Sequence, residues 1–181
     1  VRKMPAVETL GCTTVICSDK TGTLTKGEMT VRKIFTGARL IEVTGVGYAP
    51  EGEFKGSNII NTTNSQPFQL LLKGGLLCSD ATLEEKEGQW SIKGDPTEGA
   101  LVVVAAKAGL HQTEIRRENL RIEEIPFSSE RKRMTTIHQM KSGKRVAFMK
   151  GAPEVVLERC SRIFENGGMK ELGKIEKARI L

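Results

Sequence analysis

The spacing of apolar and polar residues divides the chain into recognisable segments. Val1 to Leu10, which contains Pro5, reads as a connector. Thr13-Thr14-Val15-Ile16-Cys17 is a short β-branched apolar run, the pattern of a strand buried on both faces. It stops at Ser18-Asp19, and a Gly-containing turn follows. Met29 to Phe35 and Leu40 to Val43 read as strands separated by a turn at Thr36-Gly37, and Gly45 to Lys55, with its glycines and Pro50, reads as loop. Asn58 to Gln66 is a polar connector. Leu70, Leu71, Leu72, Leu76 and Leu77 then fall at helical spacing within Gln69 to Asp80, weakened by Gly74-Gly75.

Farther along, Trp90 to Ile92 predicts a short strand. Asp95 is placed to cap a helix whose first position is Pro96 and which runs to about Ala108, before Gly109. A second helix is expected over Thr113 to Asn119. Arg121 to Ile125, Met134 to Gln139 and Arg145 to Met149 predict strands, the last two a hairpin turning at Lys141-Ser142-Gly143. Pro153 opens a helix to Cys160. No internal repeat or low-complexity tract interrupts this order. The expectation is one α/β strand with its loop, residues 1–27, followed by an α+β domain on antiparallel strands, residues 28–181.

Composition changes that picture little. With 181 residues, 38% hydrophobic but only 4% aromatic, the core must rest on Val, Ile, Leu and Ala. A charged fraction of 28% and a mean hydropathy of −0.27 fit a folded, water-soluble domain. No apolar run approaches the roughly 18 residues of a membrane span, and the first residues lack the pattern of a signal peptide. The net charge of +6 reads as a solvated surface with a modest basic excess, since no aromatic ladder for stacking bases accompanies it. The four cysteines form no C-x-x-C pair and read as reduced thiols. His111 and His138 read as surface or partly buried residues without a role.

The strand end at Asp19 is where the chemistry concentrates. A carboxylate can attack phosphorus and form an acyl phosphate, splitting one hard transfer into two easier steps. Positive charge and donors must surround that attack; Lys20, the hydroxyls of Thr21, Thr23 and Thr25, and the backbone at Gly22 are at hand. A polar strand-to-loop turn with a chance aspartate is the plainer alternative. The whole run Asp19-Lys20-Thr21-Gly22-Thr23-Leu24-Thr25, however, resembles the signature of P-type ATPases, a branch of the haloacid dehalogenase superfamily. The resemblance implies that Asp19 is the phosphorylated nucleophile, assisted by Lys20 and Thr21. It also implies that Mg2+ joins Asp19 and Thr21 to the phosphate oxygens. It further implies that the first strand and loop belong to a haloacid-dehalogenase-like phosphorylation domain. Related phosphatases carry an acid/base aspartate where this chain has Thr21, so the phosphoenzyme should hydrolyse slowly.

Three later segments resemble the nucleotide-binding domain of the same pumps, in the family's order. Gly94-Asp95-Pro96-Thr97-Glu98-Gly99-Ala100-Leu101 puts Glu98 where the family has a glutamate near the adenine amino group. An acidic residue at a helix N-terminus is also favoured by the dipole alone. Pro126-Phe127-Ser128-Ser129-Glu130-Arg131-Lys132-Arg133-Met134 resembles the segment whose Phe stacks on adenine and whose nearby polar or basic groups reach the ribose and phosphates. Phe127, Ser129 and Lys132 take those positions, with Ser129 where sarcoplasmic-reticulum-type calcium pumps have an arginine. In Met149-Lys150-Gly151-Ala152-Pro153-Glu154, Lys150 would neutralise phosphate charge and Gly151 would let backbone approach the ligand. Each segment has a plainer reading: core phenylalanine, solvated basic run, ordinary strand–turn–helix.

Met4 to Gly11 resembles the link from the fourth membrane helix to the phosphorylation strand, and together with Ile16-Cys17-Ser18 points to the calcium-pump branch. The His-Pro pair of heavy-metal pumps does not occur. Nor do the family's later Thr-Gly-Asp and Gly-Asp-Gly-x-Asn-Asp segments. The resemblance therefore implies ATP or ADP binding without sustained hydrolysis or transport by this chain alone. Its partners would be the remaining phosphorylation, actuator and transmembrane domains, the whole sitting in a membrane with this region cytoplasmic. Two other classes stay open: a non-enzymatic basic module for nucleic acid or lipid, and a soluble haloacid-dehalogenase-type phosphatase.

Overall fold

The computed structural model describes residues 4–19, 25–59, 63–165 and 168–181. A helix α1 (Met4–Gly11) opens the chain. The expected first strand does not form: residues 13–19 are irregular, and Val15 and Ile16 are 75% and 86% exposed. A strand buried on both faces needs neighbours on either side, and none of the described sheets includes this segment.

A three-stranded antiparallel sheet follows, in the order β1 (Lys33–Thr36), β2 (Arg39–Val43) and β3 (Phe54–Lys55). Its alternation turns Ile34, Ile41 and Val43 inward. They meet α2 (Gln66–Leu77) through Phe68, Leu72, Leu76 and Leu77. Phe54 and Phe68 close one end of this core edge to face, centroids 5.2 Å apart. At Gly75 the next helix packs at ordinary distance: a Cβ there would sit 3.8 Å from Leu101.

That helix, α3 (Pro96–Lys107), buries Gly99, Ala100, Val102, Val103, Val104 and Ala105. It is apolar nearly all round because it lies between α2 on one side and the hairpin β4 (Thr82–Lys86)–β5 (Gln89–Lys93) on the other. The hairpin turns at Glu87-Gly88, both at positive φ (53° and 76°), the two-residue geometry that matches strand twist. A short helix α4 (Gln112–Glu118) leads into a second three-stranded antiparallel sheet: β6 (Asn119–Ser128), β7 (Arg133–Met140) and β8 (Arg145–Gly151). Strand β7 alternates strictly, burying Met134, Thr136 and His138 on the face toward α2. Helix α5 (Pro153–Arg159), the hairpin β9 (Arg162–Glu165)–β10 (Gly168–Glu171) and α6 (Lys174–Ile180) complete the chain.

The predicted helices and the β6–β7–β8 meander match the observed elements to within a few residues. The α+β architecture on antiparallel strands therefore stands, while the leading α/β strand does not form.

A candidate nucleotide pocket between α3 and the β6–β8 sheet

The start of α3 is built by its own sequence. Asp95 accepts hydrogen bonds from the backbone N–H groups of Thr97 (2.8 Å) and Glu98 (3.1 Å), and Pro96 fills the first helical position. Burial is the largest influence on the Asp95 carboxyl and raises its pKa. The hydrogen bonds from Glu98 and Thr97, with the charge of Lys150, outweigh it and hold the group below the ordinary value. The cap sends Glu98 toward the sheet.

Phe127 sits at a break in the β6–β7 ladder, whose register shifts between Ile125 and Ser128. Pro126 has no N–H to donate there, and the bulge re-aims the next side chain. Phe127 is consequently 61% exposed rather than core. The turn after β6 brings Lys132 round at positive φ, 50°. The Ala152 N–H donates to the Lys132 carbonyl at 3.0 Å, tying this turn to the end of β8. Only glycine fits at 151, because a Cβ would lie 2.4 Å from the Lys132 oxygen. Lys150 stands opposite Met134 in the ladder.

These pieces enclose a cavity of about 760 Å³ lined by Asp95, Thr97, Glu98, Leu101, Phe127, Lys132, Met134, Lys150, Gly151 and Ala152. The volume is within the usual range for small-molecule sites, about 300–1,000 Å³. The walls are largely apolar, with Asp95, Glu98, Lys132 and Lys150 as the charged groups among them. Lys150 Nζ lies 2.6 Å from Glu98 Oε1 and 3.3 Å from Ser79 Oγ. Both partners of this ion pair are sheltered, with side chains 25% and 15% exposed.

Five of the sequence-nominated residues, Glu98, Phe127, Lys132, Lys150 and Gly151, therefore share one cavity although they come from separate parts of the chain. Ser129 does not join them; it is exposed in the turn. Asp19 is exposed as well, and Lys20 and Thr21 lie outside the described residues. Sequence reasoning treated Asp95 only as a cap and missed Leu101 and Met134 as lining. Leu101 follows Glu98 by three positions on the same helical face, and Met134 shares the inward face of β7, so periodicity carried both signals.

Magnesium binds in near-octahedral oxygen cages, usually with one or two carboxylates. Among the described residues no group of three or more His, Cys, Asp or Glu gathers to hold a metal. The described residues around Asp19 thus do not by themselves form that site.

A smaller groove of about 300 Å³ lies under α4, lined by Leu77, Asp80, Arg116, Asn119, Leu120, Arg121 and His138. Its guanidinium groups are already used: Arg116 donates to the carbonyls of Ser79 (2.7 Å) and Ala81, and Arg121 to those of Leu77 and Ser79. They cap the C-terminal carbonyls of α2 and the corner beyond it. His138 is buried behind them, not at the surface, with Nδ1 3.1 Å from the Asn119 carbonyl and Nε2 3.0 Å from Thr136 Oγ1.

Residues 67–181 match the family described as P-type ATPase, cytoplasmic domain N, so the chain belongs to that family. It is 42% identical over 179 residues to a calcium-transporting ATPase of Bacillus subtilis, an alignment covering 98% of this chain and 20% of that protein. A cation-transporting ATPase, pma1, of Synechocystis is 41% identical over 186 residues, 98% of this chain and 20% of its own length. Human calcium-transporting ATPase type 2C member 1 is 42% identical over 172 residues, 92% of this chain and 18% of its own. The chain thus spans about a fifth of the length of these relatives, which are ATP-driven cation transporters by name. Among its described residues no helix is long and apolar enough to cross a membrane.

Proposed function

We propose that this chain is the ATP-binding part of an ATP-driven cation pump, with the nucleotide held in the cavity between α3 and the β6–β8 sheet. The observation that carries this reading is the convergence of Phe127, Lys132, Lys150 and Gly151 on one cavity of about 760 Å³. The exposed Phe127 ring offers a flat apolar face for adenine, a contact worth about 1–3 kcal/mol. Lys132 and Lys150 supply charge for the phosphates, and the cramped Gly151 backbone lets a ligand approach the end of β8.

In the whole protein, residues 28–181 would form the nucleotide-binding domain and residues 1–27 would enter the phosphorylation domain. ATP bound in the cavity would deliver its γ-phosphoryl group to Asp19. The aspartyl phosphate, aided by Lys20, Thr21 and Mg2+, would couple hydrolysis to cation movement through a membrane domain. Calcium is the favoured cation, supported by the names of the relatives.

Titration calorimetry with ATP and ADP tests the pocket. Phe127→Ala should weaken binding by about 1–3 kcal/mol, on the order of five- to a hundredfold. Lys150→Ala should weaken it by about tenfold or more, since it removes a charged contact to the phosphates. Asp19→Asn should leave affinity nearly unchanged. A loss confined to Asp19→Asn, with both pocket variants binding normally, would sink the proposal.

A further inference from the structure

Strand β6 ends its sheet. In the order β6–β7–β8 its other side meets no strand among the described residues, so its outward N–H and C=O groups have no ladder partner there. The strand is ten residues long and leaves Leu120, Ile122 and Ile125 at 64%, 44% and 43% exposure. Natural sheets blunt such edges with lysine, proline or inward-pointing charge. Asn119 to Ile125 contains no lysine or proline. Its inward charges, Arg121 and Glu124, lie 2.7 Å apart, and Arg121 also pairs with the Asp80 carboxylate.

The sequence of this edge is complementary to itself. Leu120 stands opposite Gln139 in the ladder, Glu123 opposite Ile137 and Ile125 opposite Thr135, so these three share the outer face. Arg121 stands opposite the buried His138 and Glu124 opposite the buried Thr136, on the face toward α2. In a regular strand Leu120 and Ile125, an odd number of residues apart, would face opposite ways. The register shift between Arg121 and Glu123 brings them to one face. A second copy laid antiparallel along the edge therefore sets Leu120 against Ile125 and Arg121 against Glu124 at once, each pair on a matching face. Two-fold symmetry repeats both pairs, with Ile122 and Glu123 beside the axis. Slipping by one residue sets Leu120 against Glu124, or Arg121 against Ile125, and the faces no longer match.

We propose that β6 is a self-association edge: two copies of this chain pair antiparallel through residues 120–125 in that register and join their sheets into one. Arg121 and Glu124 fix the register by opposite charge, and Leu120 and Ile125 supply the apolar contact. An interface of one strand is small, so the association should be weak. Phe127 lies beyond the paired residues. The nucleotide pocket therefore stays open in the pair, and the pairing is independent of what that pocket binds.

Sedimentation equilibrium over about a hundredfold range of protein concentration tests this. The weight-average mass of wild type should climb from 19.9 kDa toward twice that value. Leu120→Glu and Ile125→Lys, both at exposed positions, should each hold the chain at a single copy, because a charge then faces an apolar side chain. Combining the two puts a carboxylate opposite an ammonium across the pair and should restore association. Combining Leu120→Glu with Ile125→Glu should not. A wild-type mass that never rises overturns the proposal. So does association that survives both single variants, which would place the contact on another surface, or a Leu120→Glu/Ile125→Lys chain that remains a single copy. Wild type alone gives a readout that needs no variant to fold. Its backbone amide shifts should move with concentration at residues 119–126 and hold elsewhere; concentration-dependent shifts confined to other elements contradict the pairing.

Discussion

His138 shows how one side chain reports on the second sheet. Desolvation by burial, the largest influence, pushes its pKa below the ordinary value, and the charges of Arg121 and Arg116 add to that. The hydrogen bonds at the Asn119 and Leu77 carbonyls work the other way and are outweighed. Because the folded state binds a proton less readily than the unfolded chain, stability rises with pH up to the unfolded value of about 6.5. It declines as pH falls below that value. An NMR titration of the His138 imidazole should give a midpoint below 6.5, and a urea midpoint measured at pH 5 should lie under that at pH 7. A His138 titrating above 6.5 would contradict the burial argument. At the residue scale the sequence was generous where chemistry is written in residue types and silent where it is written in burial. Glu98, Phe127, Lys132 and Lys150 were legible from their motifs. That His138 is buried, and that Ser79 and Asp80 form a held corner, depends on contacts across long separations that no local pattern encodes.

At the scale of elements, two glycines make opposite demands. Gly75 lies inside α2, where a Cβ would meet only Leu101 at ordinary contact distance, 3.8 Å. Gly75→Ala should therefore stabilise the fold by about 0.5–1 kcal/mol, the usual gain from restricting a helical glycine. At Gly151 an added Cβ would strike the Lys132 oxygen at 2.4 Å and Arg133 Cβ at 2.7 Å. Gly151→Ala should open the junction of β8 and α5 and destabilise by about 1–3 kcal/mol. Thermal unfolding of the two variants should move in opposite directions, and a matched loss at both sites would refute the packing account. The elements with strong periodicity or punctuation, α3 with its Asp-Pro start and β7 with its strict alternation, were readable in advance. The β4 strand was not, since Thr82 to Lys86 is acidic and only its Glu87-Gly88 turn marks a hairpin. The run Thr13 to Cys17 misled for the converse reason. Its composition is that of a central strand, yet Val15 and Ile16 stand exposed where no described strand lies beside them.

For the whole molecule, the proposed nucleotide pocket and the proposed phosphorylation residue have different standing. The pocket is assembled from α3, the β6–β7 turn and the end of β8, each held by its own caps, ladders and close backbone contacts. Asp19 lies on an exposed segment with no gathered carboxylates among the described residues. Binding and turnover should therefore separate: this chain should bind ATP yet release phosphate no faster than solvent hydrolysis in a phosphate-release assay. Sustained release abolished by Asp19→Asn would show the phosphorylation site to be complete after all. The most direct measurement of the central claim is a backbone NMR titration with ATP, with and without magnesium. Shifts should cluster at Thr97, Phe127, Lys132, Lys150 and Gly151 and leave the Asp19 segment still. Shifts concentrated on the groove of Arg116 and Arg121, or no saturable shifts at all, would contradict it.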